Sequence, residues 1–263
     1  MREDRVNWFS KLITILTYTF ILAPMIIIVA VSFNPSAAIT FPPEGFSLKW
    51  YQNIFTGHTD FVTGFANSIK IAVIATIFDI FIGVFASLSV TKYNFKGKSL
   101  LVSFFTSPMF IPSISFAFVL MRTTASIKMF TPFTKILIGH IVIILPYIIR
   151  NTMSVLINFN WTLEDAASLG ANPRQVFFKI TLPLIKPGII SGAMLAFLYS
   201  FDEAVISSFL TSAKFTTMPI QIINYMEFQF DPTVAAIATI LMASSLIIML
   251  VINKLVGLDS MVN

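Results

Sequence analysis

The chain has 263 residues, 56% hydrophobic and only 11% charged, with a formal net charge of +5 and a mean hydropathy of +0.86. Soluble domains carry about 25% charged residues, so this composition excludes an ordinary water-soluble enzyme and describes a protein dissolved in lipid. The lack of cysteine excludes a disulfide framework, thiolate metal ligation and a cysteine nucleophile. His58 and His140 stand far apart in sequence without a carboxylate cluster, which argues against a histidine metal centre. The basic residues are dispersed rather than clustered, so they read as membrane orientation and not as nucleic-acid binding.

A bilayer core of ~30 Å needs about 20 apolar residues per helix. Six runs meet that length: Leu12–Phe33, Phe65–Val90, Leu100–Met121, Ile136–Ile157, Ile189–Leu210 and Val234–Ile252. The expectation is an all-α integral membrane protein with six transmembrane helices, forming one domain over residues 1–263. The first run follows a basic stretch, and Ala30-Val31-Ser32 has the form of a cleavage site. Its apolar core is longer than the 7–15 residues of a signal peptide, which favours a retained helix. Between the first two runs, Asn34–Asp60 holds Pro35, Pro42, Pro43 and Gly45 and predicts an ordered, turn-rich loop. Pro108 and Pro112 lie in the third run and Pro146 interrupts the fourth. They read either as simple kinks or as a gate that flexes, since neighbouring helices can satisfy the freed carbonyls.

Charge sets the orientation. With the N-terminus inside, eleven basic residues face the cytosol: Arg2, Arg5, Lys11, Lys92, Lys96, Lys98, Arg150, Arg174, Lys179, Lys186 and Lys254. Six remain outside: Lys49, Lys70, Arg122, Lys128, Lys135 and Lys214. The positive-inside rule then gives N-in and C-in, and it puts the polar segment 160–187, between the fourth and fifth helices, in the cytosol.

That segment predicts helix, break, helix. Thr162 with Asp165 approximates a capping box and starts a helix near Leu163. Gly170 is a natural terminator. Asn172 and Pro173 read as N-cap and first residue of a second short helix through Phe178, which Pro183 and Pro187 then interrupt. A rigid elbow with acids at one end and Phe177-Phe178 nearby is a docking knob. The alternative, an amphipathic helix lying on headgroups, fits poorly because such helices are usually basic and this one opens on Glu164 and Asp165.

Acids inside spans cost about 2.5–3.5 kcal/mol at a helix centre and usually face a cavity or a partner. Asp202 and Glu203 lie about 13 residues, roughly 20 Å, along the fifth run. Adjacent helical residues point about 100° apart. Glu203 shares a stripe with Gly192, Ala196, Ser200 and Ser207, the small polar face expected of a passage. Asp202 shares one with Leu195, Leu198 and Phe209, which predicts burial against a neighbour through an ion pair or hydrogen bond. Both acids could instead pair with Lys70, Arg122 or Lys128. Asp79, central in the second run, sits on a stripe of Ala72, Thr76, Gly83 and Ser87 that signals close helix packing, and is a third candidate for contact with a cation.

The segment from Glu164 to Pro183 closely resembles the EAA signature of ABC importer permeases, E-A-A-x3-G-x9-I-x-L-P. Glu164, Ala166, Gly170, Ile180, Leu182 and Pro183 match it, and Asp165 replaces the first alanine. The resemblance implies that this elbow docks into an ATPase subunit, with Glu164 held by a basic group on that subunit and Gly170 allowing the bend. Ser32-Phe33-Asn34, the run Phe41 to Tyr51, Asn67-Ser68, Gly139-His140, Ser200 to Phe209 and Thr217-Met218-Pro219 are similar to permeases of the spermidine/putrescine group. That group also serves aminoethylphosphonate, opines and related amines. The resemblance implies a bacterial inner-membrane location and no cofactor in this chain, ATP and Mg being bound by the partner. It also implies a heterodimer with a second permease, two ATPase subunits and an extracytoplasmic solute-binding protein.

The chain carries no Walker A sequence, G-x4-G-K-[ST]. A self-sufficient secondary transporter would build its site from paired broken helices, and no such pairing is visible in the sequence. An intramembrane enzyme would need a nucleophile–base or metal constellation, which His140 and the scattered serines do not supply.

Overall fold

The computed structural model describes residues 8–57, 59–127 and 129–256. Arg2, Arg5 and Lys128 of the charge count, and His58, lie outside the described residues. Among these residues the α-helices are α1 (Trp8–Val31), α2 (Lys49–Thr56), α3 (Thr59–Lys92), α4 (Lys98–Thr106), α5 (Ser113–Ala125) and α6 (Pro132–Leu156). They continue with α7 (Thr162–Ser168), α8 (Pro173–Val176), α9 (Leu182–Phe201), α10 (Val205–Leu210), α11 (Met218–Phe228) and α12 (Thr233–Val256). A 3-10 turn, Ser107–Phe110, follows α4, and a π turn, Phe177–Thr181, joins α8 to α9.

Among the described residues, five stretches are long and apolar enough to cross a bilayer: α1, α3, α6, α12 and the continuous run from Pro173 to Phe201. A sixth crossing exists only if α4 and α5 count as one, and they meet at 101°. The third predicted span is therefore a sharp bend and not a kinked rod. The cause is local: Ile111 precedes Pro112 and is extended, with φ −84° and ψ 128°, as proline demands of the residue before it. Pro146, by contrast, does not interrupt its helix, since α6 runs through it. Buried transmembrane segments tolerate the lost backbone bond.

The chain divides into two compact units. In the unit of Met1–Val62 with Ile222–Ile247, the turn-rich loop after α1 folds round Asn34. The Asn34 amide donates to the Ala38 carbonyl and to Thr40 Oγ1, and its side-chain oxygen accepts from the Ser36 and Glu44 amides. Trp50 of α2 donates its indole N–H to the Asn34 carbonyl at 2.6 Å, and Phe33 stacks on Phe46. The loop is ordered as expected, but it also contains α2. Asp231 accepts from Tyr225 and from the Thr233 amide at the start of α12. Side chains of α1 are almost wholly exposed, Phe20 at 83%, as a helix facing lipid or another subunit must be.

In the unit of Thr63–Gln221 with Ile248–Asn263, α6 packs along α9, and α5 packs along α10. Lipid removes the hydrophobic drive between helices, so close approach at small residues must supply the stability. A Cβ on Gly188 would stand 2.7 Å from the Asn151 carbonyl oxygen, and one on Gly192 would stand 3.0 Å from Ile148 Cα. These two glycines let α9 lie directly on the α6 backbone. Isoleucines 71, 136, 143, 144, 148 and 206 fill the core beside them.

Candidate functional site

The elbow begins at Asn160, whose side-chain oxygen accepts from both the amide and the hydroxyl of Thr162. Thr162 is thus the first residue of α7 and not its cap, and the expected Thr162–Asp165 capping box does not form. Asn172 and Gln175 do form a full box at 3.0 and 3.1 Å, with Pro173 behind the cap. α7 ends at Ser168 with Leu169 still right-handed, and the only positive φ among the described residues is at Gly97. Gly170 therefore makes no left-handed stop. The bend does not use its conformational freedom, and a Cβ there would meet nothing within 4 Å.

Pro183 and Pro187 do not interrupt the second helix either. The π turn widens the backbone just ahead of Pro183, which then falls in the first turn of α9 where no N–H is required. The elbow is in this way joined rigidly to the long run Pro173–Phe201.

Glu164 is buried and already satisfied by its own chain. One carboxylate oxygen is bound by the Lys92 ammonium from the end of α3. The other accepts from Thr181 at 2.5 Å in the π turn. Lys92 also lies 5.4 Å from the Trp161 ring centre. A buried carboxylate must be paired where it sits, and Lys92 and Thr181 supply that pairing within the chain, without a basic group from the ATPase. A cavity of about 410 Å³ opens beside it, lined by Phe85, Ser89, Lys92, Tyr93 and Phe177 among others.

The outward face of the elbow is different in kind. Asp165, Ala166, Gly170 and Pro183 are exposed, and Ile180 and Leu182 are half-buried. Leu169 is 92% exposed and Phe178 63%, whereas Phe177 stacks inward on Phe85. Sequence reasoning named the phenylalanines and passed over Leu169, whose exposure follows only from the fold.

The fifth predicted span breaks at Asp202, between α9 and α10. Glu203 turns inward and accepts from the Ile206 amide at 2.9 and 3.0 Å and the Ser207 amide at 3.2 Å, satisfying the free donors of α10's first turn. His140 of α6 bridges the same place, with Nδ1 2.7 Å from Ser200 Oγ and Nε2 3.2 Å from Ser207 Oγ. His140 Nε2 is also 3.7 Å from a Glu203 oxygen. Glu203 is buried in a structural network and still borders the cleft beside it, whereas Asp202, expected to be buried, is exposed. The 100° rule fails because the helix ends between the two residues. Lys70 lies over the Phe133 ring and forms no ion pair with either acid.

Asp202 lines an open cleft with Tyr147 of α6 and Tyr199 of α9, whose rings meet at 5.3 Å. Asp79 does not line it. It is fully buried on its predicted packing stripe, and neither carboxylate oxygen has a hydrogen-bond partner. Gly83 and Ser87 on the same stripe meet α6 at Ile148 and Ile149. Of the three intramembrane acids, Asp202 and Glu203 thus border one cleft and Asp79 stands apart from it.

A family model described as binding-protein-dependent transport system inner membrane component matches residues 79–258. The chain is 30% identical over 243 residues to the spermidine/putrescine transport system permease protein PotC of Escherichia coli (strain K12), covering 92% of this chain and 91% of the relative. It is 29% identical to the trehalose transport system permease protein SugB of Mycobacterium tuberculosis (strain CDC 1551 / Oshkosh), over 90% and 88% of the two chains. A bacterial ABC transporter that imports the acidic polysaccharide alginate has a similar fold, with a TM-score of 0.68 at 20% identity over 98% and 97% of the chains.

The protein is a multi-pass permease subunit of an ABC importer in the inner membrane. It belongs to the family of binding-protein-dependent transport system inner membrane components. That relationship, and not the absence of broken helices, now separates it from a self-sufficient transporter. The structure has two breaks, and the helices after them, α5 and α10, pack together.

Proposed function

We propose that this permease imports polyamines, putrescine and spermidine, and forms half of their pathway as a single domain over residues 1–263. Its similarity to PotC over nine-tenths of both chains carries this reading. A bare carboxylate at Asp202 beside two tyrosines suits a cationic cargo better than a neutral or anionic one. Of the three acids, Asp202 is offered to cargo, Glu203 fixes α10, and Asp79 packs α3. The termini lie in the cytosol, as the excess of basic residues on that side supports.

The elbow 160–187 docks an ATPase subunit that binds ATP and Mg, one of two in the complex. Leu169, Asp165 and Ala166 touch that subunit, while Glu164, Gly170, Ile180, Leu182 and Pro183 shape and carry the surface. A second, different permease completes the pathway, and a solute-binding protein delivers cargo from outside. ATP-dependent uptake of labelled putrescine and spermidine into vesicles holding the complete transporter tests the cargo, with unlabelled aminoethylphosphonate as competitor. Saturable uptake that resists the competitor is expected. An assembled, ATP-hydrolysing complex that takes up no polyamine overturns the cargo. The comparable similarity to the trehalose permease supports a second reading, a neutral sugar, so labelled trehalose belongs in the same assay.

A further inference from the structure

The cleft at the end of α9 has a volume of about 540 Å³, within the usual range of small-molecule sites. Tyr147, Tyr199, Asp202 and the edge of Glu203 line it together with Leu195, Leu198 and Val205. The tyrosine rings are tilted by 36° with centres 5.3 Å apart, and Tyr199 is 41% exposed. Neither phenol and neither oxygen of Asp202 has a hydrogen-bond or ion-pair partner among the described residues. Three unpaired polar groups within or at the end of apolar membrane-length helices are poorly placed against lipid tails, since a carboxylate alone is costly there. The face must open onto water and cargo or lie against another protein.

What distinguishes it from a plain protein contact is the combination of groups. Two aromatic faces attract an ammonium through the ring quadrupole, best within about 6 Å of the centroid. A carboxylate at the rim neutralises the same charge, and leucines beside it accept the methylenes of an alkyl amine. None of the lining groups carries a positive charge that would recognise an anion. The Glu203–His140–Ser200–Ser207 network holds the break in shape from behind, so the cleft is rigid on one side.

We propose that Tyr147, Tyr199 and Asp202 form a subsite for an alkylammonium group on the translocation path, the tyrosine rings taking the cation by their faces and Asp202 by its charge. This rests on the polyamine reading given above. The site holds one amine end, and a second permease closes its open side.

Putrescine uptake by the complete transporter in proteoliposomes tests it. Tyr199→Leu, Tyr147→Leu and Asp202→Asn should each lower the maximal uptake rate about tenfold, a factor in the range of a desolvated cation–π contact. Tyr199→Phe should stay within about twofold of wild type, because the ring face is kept. Co-purification of the second permease and the ATPase is measured on the same samples. If wild type takes up putrescine and the leucine variants match it, the subsite is wrong and the polyamine function stands. If the variants shed the second permease, the cleft is a protein interface and the proposal fails. If wild type carries trehalose and no amine, the functional reading fails and the subsite with it.

Discussion

Glu164 in α7 is bound by Lys92, 72 residues earlier at the end of α3. With Thr181 on its other oxygen, this carboxylate ties three segments, α3, α7 and the π turn. Force applied to the elbow is thereby passed to two long helices and not only to the one that follows it. A buried pair adds little net stability over an apolar substitute, but removing one partner strands the other at a cost of about 3–5 kcal/mol. Lys92 is partly exposed, so the lower end of that range, or less, applies here.

Charge exchange separates an internal strut from a contact with the ATPase. Glu164→Lys should leave the protein inserted but abolish ATP-coupled uptake, because two ammonium groups then face each other. Adding Lys92→Glu to it should restore a measurable part of the uptake. A double variant as inactive as Glu164→Lys alone would return Glu164 to the ATPase interface.

Leu169 and Gly170 report on docking. Leu169→Ser should weaken co-purification of the ATPase, by about 1–2 kcal/mol for the loss of one well-buried interface anchor, while leaving the thermal midpoint of the isolated permease in place. Gly170→Ala meets nothing within 4 Å and needs no unusual φ, so it should be neutral in the isolated permease. Loss of ATPase binding by Gly170→Ala would show that the partner's backbone comes close at that point. A lowered midpoint for either variant would mean that the residue supports the fold instead.

The reversed roles of Asp202 and Glu203 predict opposite phenotypes. Glu203→Ala strands the first amides of α10 and should cost about 1–3 kcal/mol, visible as a lower midpoint in detergent. Asp202→Asn should leave that midpoint unchanged. Equal destabilisation by both would contradict the buried and exposed assignments.

Gly188→Val forces side-chain atoms into the Asn151 carbonyl, where even a Cβ stands at 2.7 Å. Overpacking of this kind costs about 1–3 kcal/mol and should separate α9 from α6. Loss of expression or a lower thermal midpoint is expected. An unchanged midpoint would mean that the two helices are not held in contact in the membrane.

The apolar runs, the elbow between two of them and the Asn172 cap ahead of Pro173 could be read from the chain alone. Each depends on residues within one helix or within three positions of one another. Hydropathy is a sum over a window, and a cap is set by its own turn, so neither needs a fold to be recognised. The small-residue stripe around Asp79 was legible for the same reason, since helical period places Ala72, Thr76, Gly83 and Ser87 on one face.

The tertiary structure alone decided what the buried polar groups meet. Lys92 and Glu164 are 72 residues apart, and His140 stands 60 and 67 residues from its serines. No local rule relates such positions. The break at Asp202 also belongs to the fold, because Glu203 caps α10 where His140 and two serines close round it. Once the helix stops there, the period that had assigned the two acids to their faces no longer applies. Where a polar side chain in a membrane interior is paired, its partner lies elsewhere in the protein, and which partner it finds is set by how the helices pack.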